Sequence, residues 1–201
     1  MRAEGIGAKI VKKWRATTQS NHRLPVAANR LNRQVTVNHP NRVWAGDIGY
    51  VWTAEGWLYL AVVRDLYSRA VIGWVLGAQL TGDLAQKALM MAIHHCAPKA
   101  GLLHHSDRGS QYAATAYQQL LTTHGITGSM SRCGVCCDNA CVESFFGTLE
   151  SELIYHRQYR TREKTTQDIF EYIEVFYNRL RRHSTLGYYS PVKFEARTAG
   201  A

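Results

Sequence analysis

A chain of 201 residues is long enough for one sizeable core, and with 46% apolar residues it reads as globular rather than disordered. Its longest strongly apolar run, Trp57 to Val63, falls far short of the ~20 residues a bilayer span needs, and the N-terminus lacks the apolar stretch of a secretory signal. Five cysteines, an odd number, argue against a disulfide framework, so the expected setting is a reducing cytoplasm.

The net charge of +9 is unevenly spread. The first 44 residues hold nine Lys or Arg and a single acid, the centre is slightly acidic, and the C-terminal stretch is basic again. Basic ends around an acidic middle suit a polyanion that approaches bound cations, although a solvated surface explains the same charges.

In chain order, residues 1–42 are polar and basic and read as an extended arm or linker. Val43–Thr53, Trp57–Leu66 and Ala70–Gly77 are short β-branched and aromatic runs with tight gaps, an antiparallel meander. Gly82–Cys96 has apolar residues at helical spacing, with Pro98 just beyond. Leu102–Ser106 reads as a fourth strand, Ala113–His124 as a helix closed by Gly125, and Ile126–Met130 as a fifth strand. Ser131–Cys137 reads as a loop. Asp138 or Asn139 then caps a helix to about His156 with the stripe Val142, Phe145, Phe146, Leu149, Leu153. A last helix, Thr166–Arg181, carries Ile169, Tyr172, Ile173, Phe176, Tyr177 and Leu180 on its apolar side, and the tail through Pro191 cannot continue it. Three hairpin strands followed by alternating helices and strands predict a mixed, five-stranded α/β sheet flanked by helices.

Three acids stand where acids are locally out of place. Asp47 lies inside an apolar strand, Asp107 ends the fourth strand, and Glu143 sits about 100° round its helix from Val142, at the rim of the buried stripe. Each has a plain reading alone: an outward polar residue, a turn former, a helix-surface residue. Brought together they would repel one another and raise their pKa values, a conflict that Mg²⁺ removes because it takes carboxylate oxygens. Two such ions can hold the attacking and leaving oxygens of a phosphoryl transfer.

The stretches Asn41-Arg42-Val43-Trp44-Ala45-Gly46-Asp47-Ile48-Gly49-Tyr50, His105-Ser106-Asp107-Arg108-Gly109-Ser110-Gln111-Tyr112 and Asp138-Asn139-Ala140-Cys141-Val142-Glu143-Ser144-Phe145-Phe146 decide between these readings. With Tyr177-Asn178-Arg179-Leu180-Arg181-Arg182-His183-Ser184 and Ser190-Pro191, the chain resembles the retroviral-integrase-type core of DDE transposases. More narrowly it resembles the second-frame product of the IS-three family of bacterial insertion sequences. The 35 residues between Asp107 and Glu143 match the spacing in that family's motif. The resemblance implies an RNase H-like fold, with the core over 43–160 completed by 161–201. It implies Asp47, Asp107 and Glu143 as catalytic residues holding two Mg²⁺ or Mn²⁺ ions. The implied activity is DNA cleavage and strand transfer in transposition, by a homo-oligomer on transposon ends and target DNA, in the bacterial cytoplasm at the nucleoid and without a membrane. From their own positions, Arg108, Gly109 and Gln111 in the loop after Asp107, Asn139 on the face of Glu143, and the basic run Arg179, Arg181 and Arg182 are the expected DNA contacts, with N-capping by Asn139 and a solvated helix end as the plain alternatives.

Four positions depart from the family pattern: Gly49 stands where threonine is common, Cys133 and Cys137 replace basic and tyrosine residues, and Glu150 stands where Lys or Arg is usual. Seven residues from Glu143, Glu150 shares its helix face and is expected to repel phosphate. The family's helix-turn-helix region precedes the part of the sequence seen here. A truncated, catalytically impaired DNA-binding remnant is therefore the alternative. The cluster Cys133, Cys136, Cys137, Cys141 lacks the second ligand pair of a zinc module, and His104 and His105 are expected to be structural.

Overall fold

The computed structural model describes residues 22–32, 34–132 and 140–198. Strands β1 (Val43–Thr53), β2 (Gly56–Asp65) and β3 (Val71–Gly77) form the antiparallel meander that alternation predicts. Gly56 closes the first turn at φ +100°, a conformation glycine takes without a Cβ penalty. Strands β4 (Leu103–Ser106) and β5 (Thr127–Met130) are parallel to β1 and extend its other side, giving the order β3-β2-β1-β4-β5. Parallel strands need crossovers, which helix α1 (Gly82–Cys96) and the pair α2 (Ser110–Ala113) and α3 (Thr115–Thr123) provide.

Helices cover both faces of the sheet. On one side Trp44, Ala61 and Val63 meet Leu84, Ala88, Ala92 and Tyr117 of α1 and α3. On the other, Leu60, Val62 and Val71 meet Phe145 and Leu149 of α4 (Ala140–Glu152) and Ile169 of α5 (Arg162–Phe170). Strand β2 is therefore buried on both faces, which explains its unbroken apolar run from Leu58 to Val63. Among the described residues, no helix is long and apolar enough to cross a membrane.

Four departures from the expected elements have physical causes. The helix expected over Ala113–His124 starts at Thr115, because Ala114 is extended (ψ 138°), and a short unforeseen helix, α2, precedes it. Helix α4 stops at Glu152, since Leu153 (φ −122°) breaks it before a 3-10 turn, Ile154–His156. Helix α5 begins at Arg162, four residues early, where the Thr161 hydroxyl accepts from Lys164 N–H as an N-cap. It then continues as a π-helical segment, Glu171–Tyr177. The wider turn breaks the 3.6-residue phase, so Phe176 and Leu180 of the expected stripe lie exposed while Tyr172, Ile173 and Tyr177 stay buried. The tail forms a further helix, α6 (Pro191–Thr198), with proline at its first turn, where the missing N–H costs nothing. The described half of the N-terminal arm is docked: Leu31 is buried, and Arg30 and Leu31 N–H donate to Ser129 Oγ of β5.

Candidate active site

The sheet order places the first two acids side by side. Gly46 of β1 is in register with Ser106 of β4, so Asp47 and Asp107 follow directly after paired positions on neighbouring parallel strands. Alternation along β1 turns Asp47, Gly49 and Val51 toward the face that α4 covers, where Val51 joins the core with Phe145. Glu143 comes from the first turn of α4, half-buried beside the fully buried Val142. The three carboxyl groups interact electrostatically. Burial pushes the Asp47 carboxyl well above the usual range, and Asp107 and then Glu143 add to the effect. Glu143 is raised by burial and by Asp107.

The local hydrogen bonds hold the aspartates in place. Asp47 Oδ1 accepts from Ile48 N–H at 2.8 Å, and Asp107 Oδ1 accepts from Gly109 N–H at 2.8 Å. Among the described residues, no three acid, histidine or cysteine side chains are gathered into a ready-made ion cage.

The family models for an integrase core domain match residues 37–136 and 143–198. A Shigella sonnei protein, the insertion element IS600 uncharacterized 31 kDa protein, is 50% identical over 189 residues, covering 94% of this chain and 70% of that protein. Transposase InsF for insertion sequence IS3A of Escherichia coli is 47% identical over 195 residues, covering 97% of this chain and 68% of that protein. The chain belongs to the insertion-sequence transposases with an integrase core domain. Among solved structures, the catalytic core domain of HTLV-2 integrase, in complex with magnesium in its trimeric form, superposes with a TM-score of 0.59 at 18% identity, covering 78% of this chain and 97% of that one. A chain of the simian T-cell lymphotropic virus intasome gives 0.65 at 19% identity, covering 89% of this chain and 60% of that one. These likenesses carry the fold, the RNase H-like fold of retroviral integrase cores.

The remaining expected site residues of this transposase-family chain divide into groups. Arg108, Gly109 and Gln111 share the loop and short helix after Asp107. The Arg108 side chain is committed to the Ser131 carbonyl, and its own carbonyl accepts from His22. A Cβ on Gly109 would stand 3.0 Å from both Asp107 Oδ1 and Gln111 Oε1, so this loop is closed tightly around the aspartate. Arg179 donates to the Glu174 carbonyl, Arg181 is paired with Glu152 at 2.9 Å, and Arg182 is exposed. Asn139 and the cysteines Cys133, Cys136 and Cys137 lie outside the described residues. Cys141 is free and accepts from Arg69 at 3.1 Å.

The structure also explains residues that the pattern left open. His105 bonds Ser129 and Ser131, and His104 bonds the Tyr117 hydroxyl, with burial pushing its pKa down to about 3. Both are structural. Glu150 accepts from the Tyr155 hydroxyl at 2.8 Å, on the wall of an aromatic cavity with Trp52 and Trp57. Sequence reasoning missed Arg64 altogether. Its signal was a charge closing the apolar run Leu58 to Val63 of β2.

Proposed function

We propose that this chain carries the polynucleotidyl transferase centre of a transposase, cleaving DNA and joining its 3′ ends to a target with Asp47, Asp107 and Glu143 as catalytic residues. The supporting observation is the electrostatic coupling of three carboxyl groups brought from β1, the end of β4 and α4, with Asp47 desolvated and repelled by the other two. No described residue donates a hydrogen bond or ion pair to Glu143, which leaves its oxygens available. Hard oxygen donors under mutual repulsion fit a divalent cation, so Asp47, Asp107 and Glu143 would hold Mg²⁺ or Mn²⁺, two ions in the full site. Bound there, the ions would polarise the phosphodiester and lower the pKa of the attacking water or 3′-hydroxyl.

The protein's own part is positioning. The Gly109 N–H bond fixes the Asp107 carboxylate. Packing of Phe145 and Leu149 against β2 fixes α4, and with it Glu143. Tight closure of the loop at Gly109 lets a DNA backbone approach without side-chain obstruction. Glu150, on the same helix, weakens the grip on phosphate, so activity on DNA is expected below that of a Lys or Arg variant.

The test is strand transfer by purified protein on precut transposon ends in Mg²⁺. Asp47→Asn, Asp107→Asn and Glu143→Gln should each cut the rate by at least ~100-fold while the melting transition remains cooperative. Full activity in a folded Asp47→Asn variant would sink the assignment.

A further inference from the structure

Three guanidinium groups converge on a cavity of about 400 Å³ lined by one side of α4 through Cys141 and Ser144. Arg64 comes from the end of β2, Arg69 from the β2–β3 turn and Arg181 from the segment after α5. Arg64 is only 2% exposed. All its donors go to uncharged acceptors: Nε and Nη2 to the Arg69 carbonyl, Nη2 also to the Tyr177 hydroxyl at 2.8 Å, and Nη1 to the Cys141 carbonyl and Ser144 Oγ.

Those bonds fix the guanidinium but leave its charge uncompensated, and a buried unpaired charge is costly. Among the described residues no carboxylate pairs with Arg64 or Arg69, while Arg181 has Glu152. The three positive groups have one direct ion pair between them, and the Asp65 carboxyl reaches Arg69 only through space. The strain is visible in their neighbours. Burial, with Arg69 and Arg181 adding to it, lowers the Arg64 pKa from its usual value. Burial and the three arginines push His183, on the same cavity, down to about 4. His183 is therefore neutral. Its Nδ1 accepts from Arg181 Nη1, which leaves the hydrogen on Nε2, a buried donor with no partner among the described residues.

We propose that this cavity is a binding site for a phosphate group, held by Arg69 over the buried charge of Arg64, while Arg181, anchored by Glu152, adds positive potential to the wall. A phosphate oxyanion supplies the negative charge the cluster lacks, and guanidinium forks match its oxygens. Ser144 and Cys141 flank Glu143 in sequence, so the site borders the carboxylate cluster along α4. The site stands on the arginine geometry alone; that the phosphate belongs to a DNA strand rests on the catalytic reading above.

The first arm is thermal unfolding of the full chain in inorganic phosphate against chloride at equal ionic strength. Phosphate at ten times its dissociation constant should raise Tm by about 3 °C, and Arg69→Gln should remove the shift while Arg69→Lys, which keeps the charge but not the fork, keeps only part of it. Arg69 is the residue to change because its side chain donates only to Cys141 Sγ, whereas loss of Arg64 would disturb folding. The second arm is the salt dependence of duplex DNA binding, where Arg69→Gln should lower the slope of log K against log salt by about 1. A phosphate shift with a lowered slope supports the site with DNA as the source. A phosphate shift with an unchanged slope supports the site with free phosphate as the source. No phosphate-specific shift in the native chain, or a shift that survives Arg69→Gln, overturns it. Neither arm reads catalysis, so failure of the carboxylate assignment would show separately, in strand transfer.

Discussion

Gly49 of β1 lies directly under the ring of Phe146 of α4: a Cβ at position 49 would stand 2.4 Å from the ring's Cε1. Gly49 is two residues past Asp47, and Phe146 is three past Glu143. This contact therefore sets how closely α4 approaches β1, and so the spacing between the two acids. The glycine that departs from the family pattern has a bulky neighbour using its space. Gly49→Ala should lower stability by roughly 1–3 kcal/mol through overpacking and should reduce strand transfer further than its stability loss explains. Phe146→Leu in the same chain should restore both. Chemical denaturation and strand-transfer rates of the two single variants and the double variant check this, and simple additivity would refute the coupling.

Gly73 gives a harsher version of the same test. A Cβ there would meet the Ala88 carbonyl oxygen at 2.3 Å and the Ala92 nitrogen at 2.7 Å, both backbone atoms of α1. A ring can turn aside, but a helix backbone must be displaced. Gly73→Ala should cost more stability than Gly49→Ala, about 3 kcal/mol or more, measured by the shift of the urea midpoint at constant m-value.

The Asp47 carboxyl is desolvated and repelled by Asp107 and Glu143, so in the absence of metal it works against folding. Asp47→Asn removes the charge while keeping the shape. In chelator this variant should melt a few degrees above the native chain, and added Mg²⁺ should raise Tm of the native chain but not of the variant. Equal responses to Mg²⁺ would contradict Asp47 as a ligand.

Asp65 gives the chain a pH dependence remote from that cluster. Burial pushes its carboxyl up to about 6, against hydrogen bonds from Tyr67 and Asn41 N–H that lower it. A carboxyl whose folded pKa lies above its unfolded value prefers to fold protonated. Its ionisation penalty is absent below about pH 4, grows as pH rises, and is complete above about pH 6. The loss is on the order of 2–3 kcal/mol. Stability of the native chain relative to Asp65→Asn should therefore fall between pH 4 and pH 7. A flat difference across that range would remove Asp65 as the cause.

Glu150 is held by the Tyr155 hydroxyl on the same helix as Glu143. Glu150→Lys replaces a repelling charge with an attracting one, and should raise DNA affinity several-fold at low salt with a steeper salt slope. Tyr155→Phe, which frees the carboxylate without removing it, should not. Filter binding across a salt series separates the two.

Much of this protein is legible in its residue order because the physics that shapes it is local. Alternation marked β1 to its observed ends, and Asp47 and Asp107 stood out as acids against apolar surroundings. Helical spacing found α4 and placed Glu143 at the edge of its buried stripe. The family motifs then tied the three acids into one expected site. Other features depend on partners far along the chain, which no local pattern encodes. Arg64 is held by Cys141 and Tyr177, Phe146 closes over Gly49, and Arg181 is paired with Glu152 rather than free for DNA. The π-helical segment turned Phe176 and Leu180 outward, because one widened turn resets the phase on which periodicity relies. Local periodicity and misplaced charge thus determined the elements and the candidate acids. Packing of α4 and α5 onto the sheet decided which charges meet, because burial makes the pairing of each charge a tertiary matter.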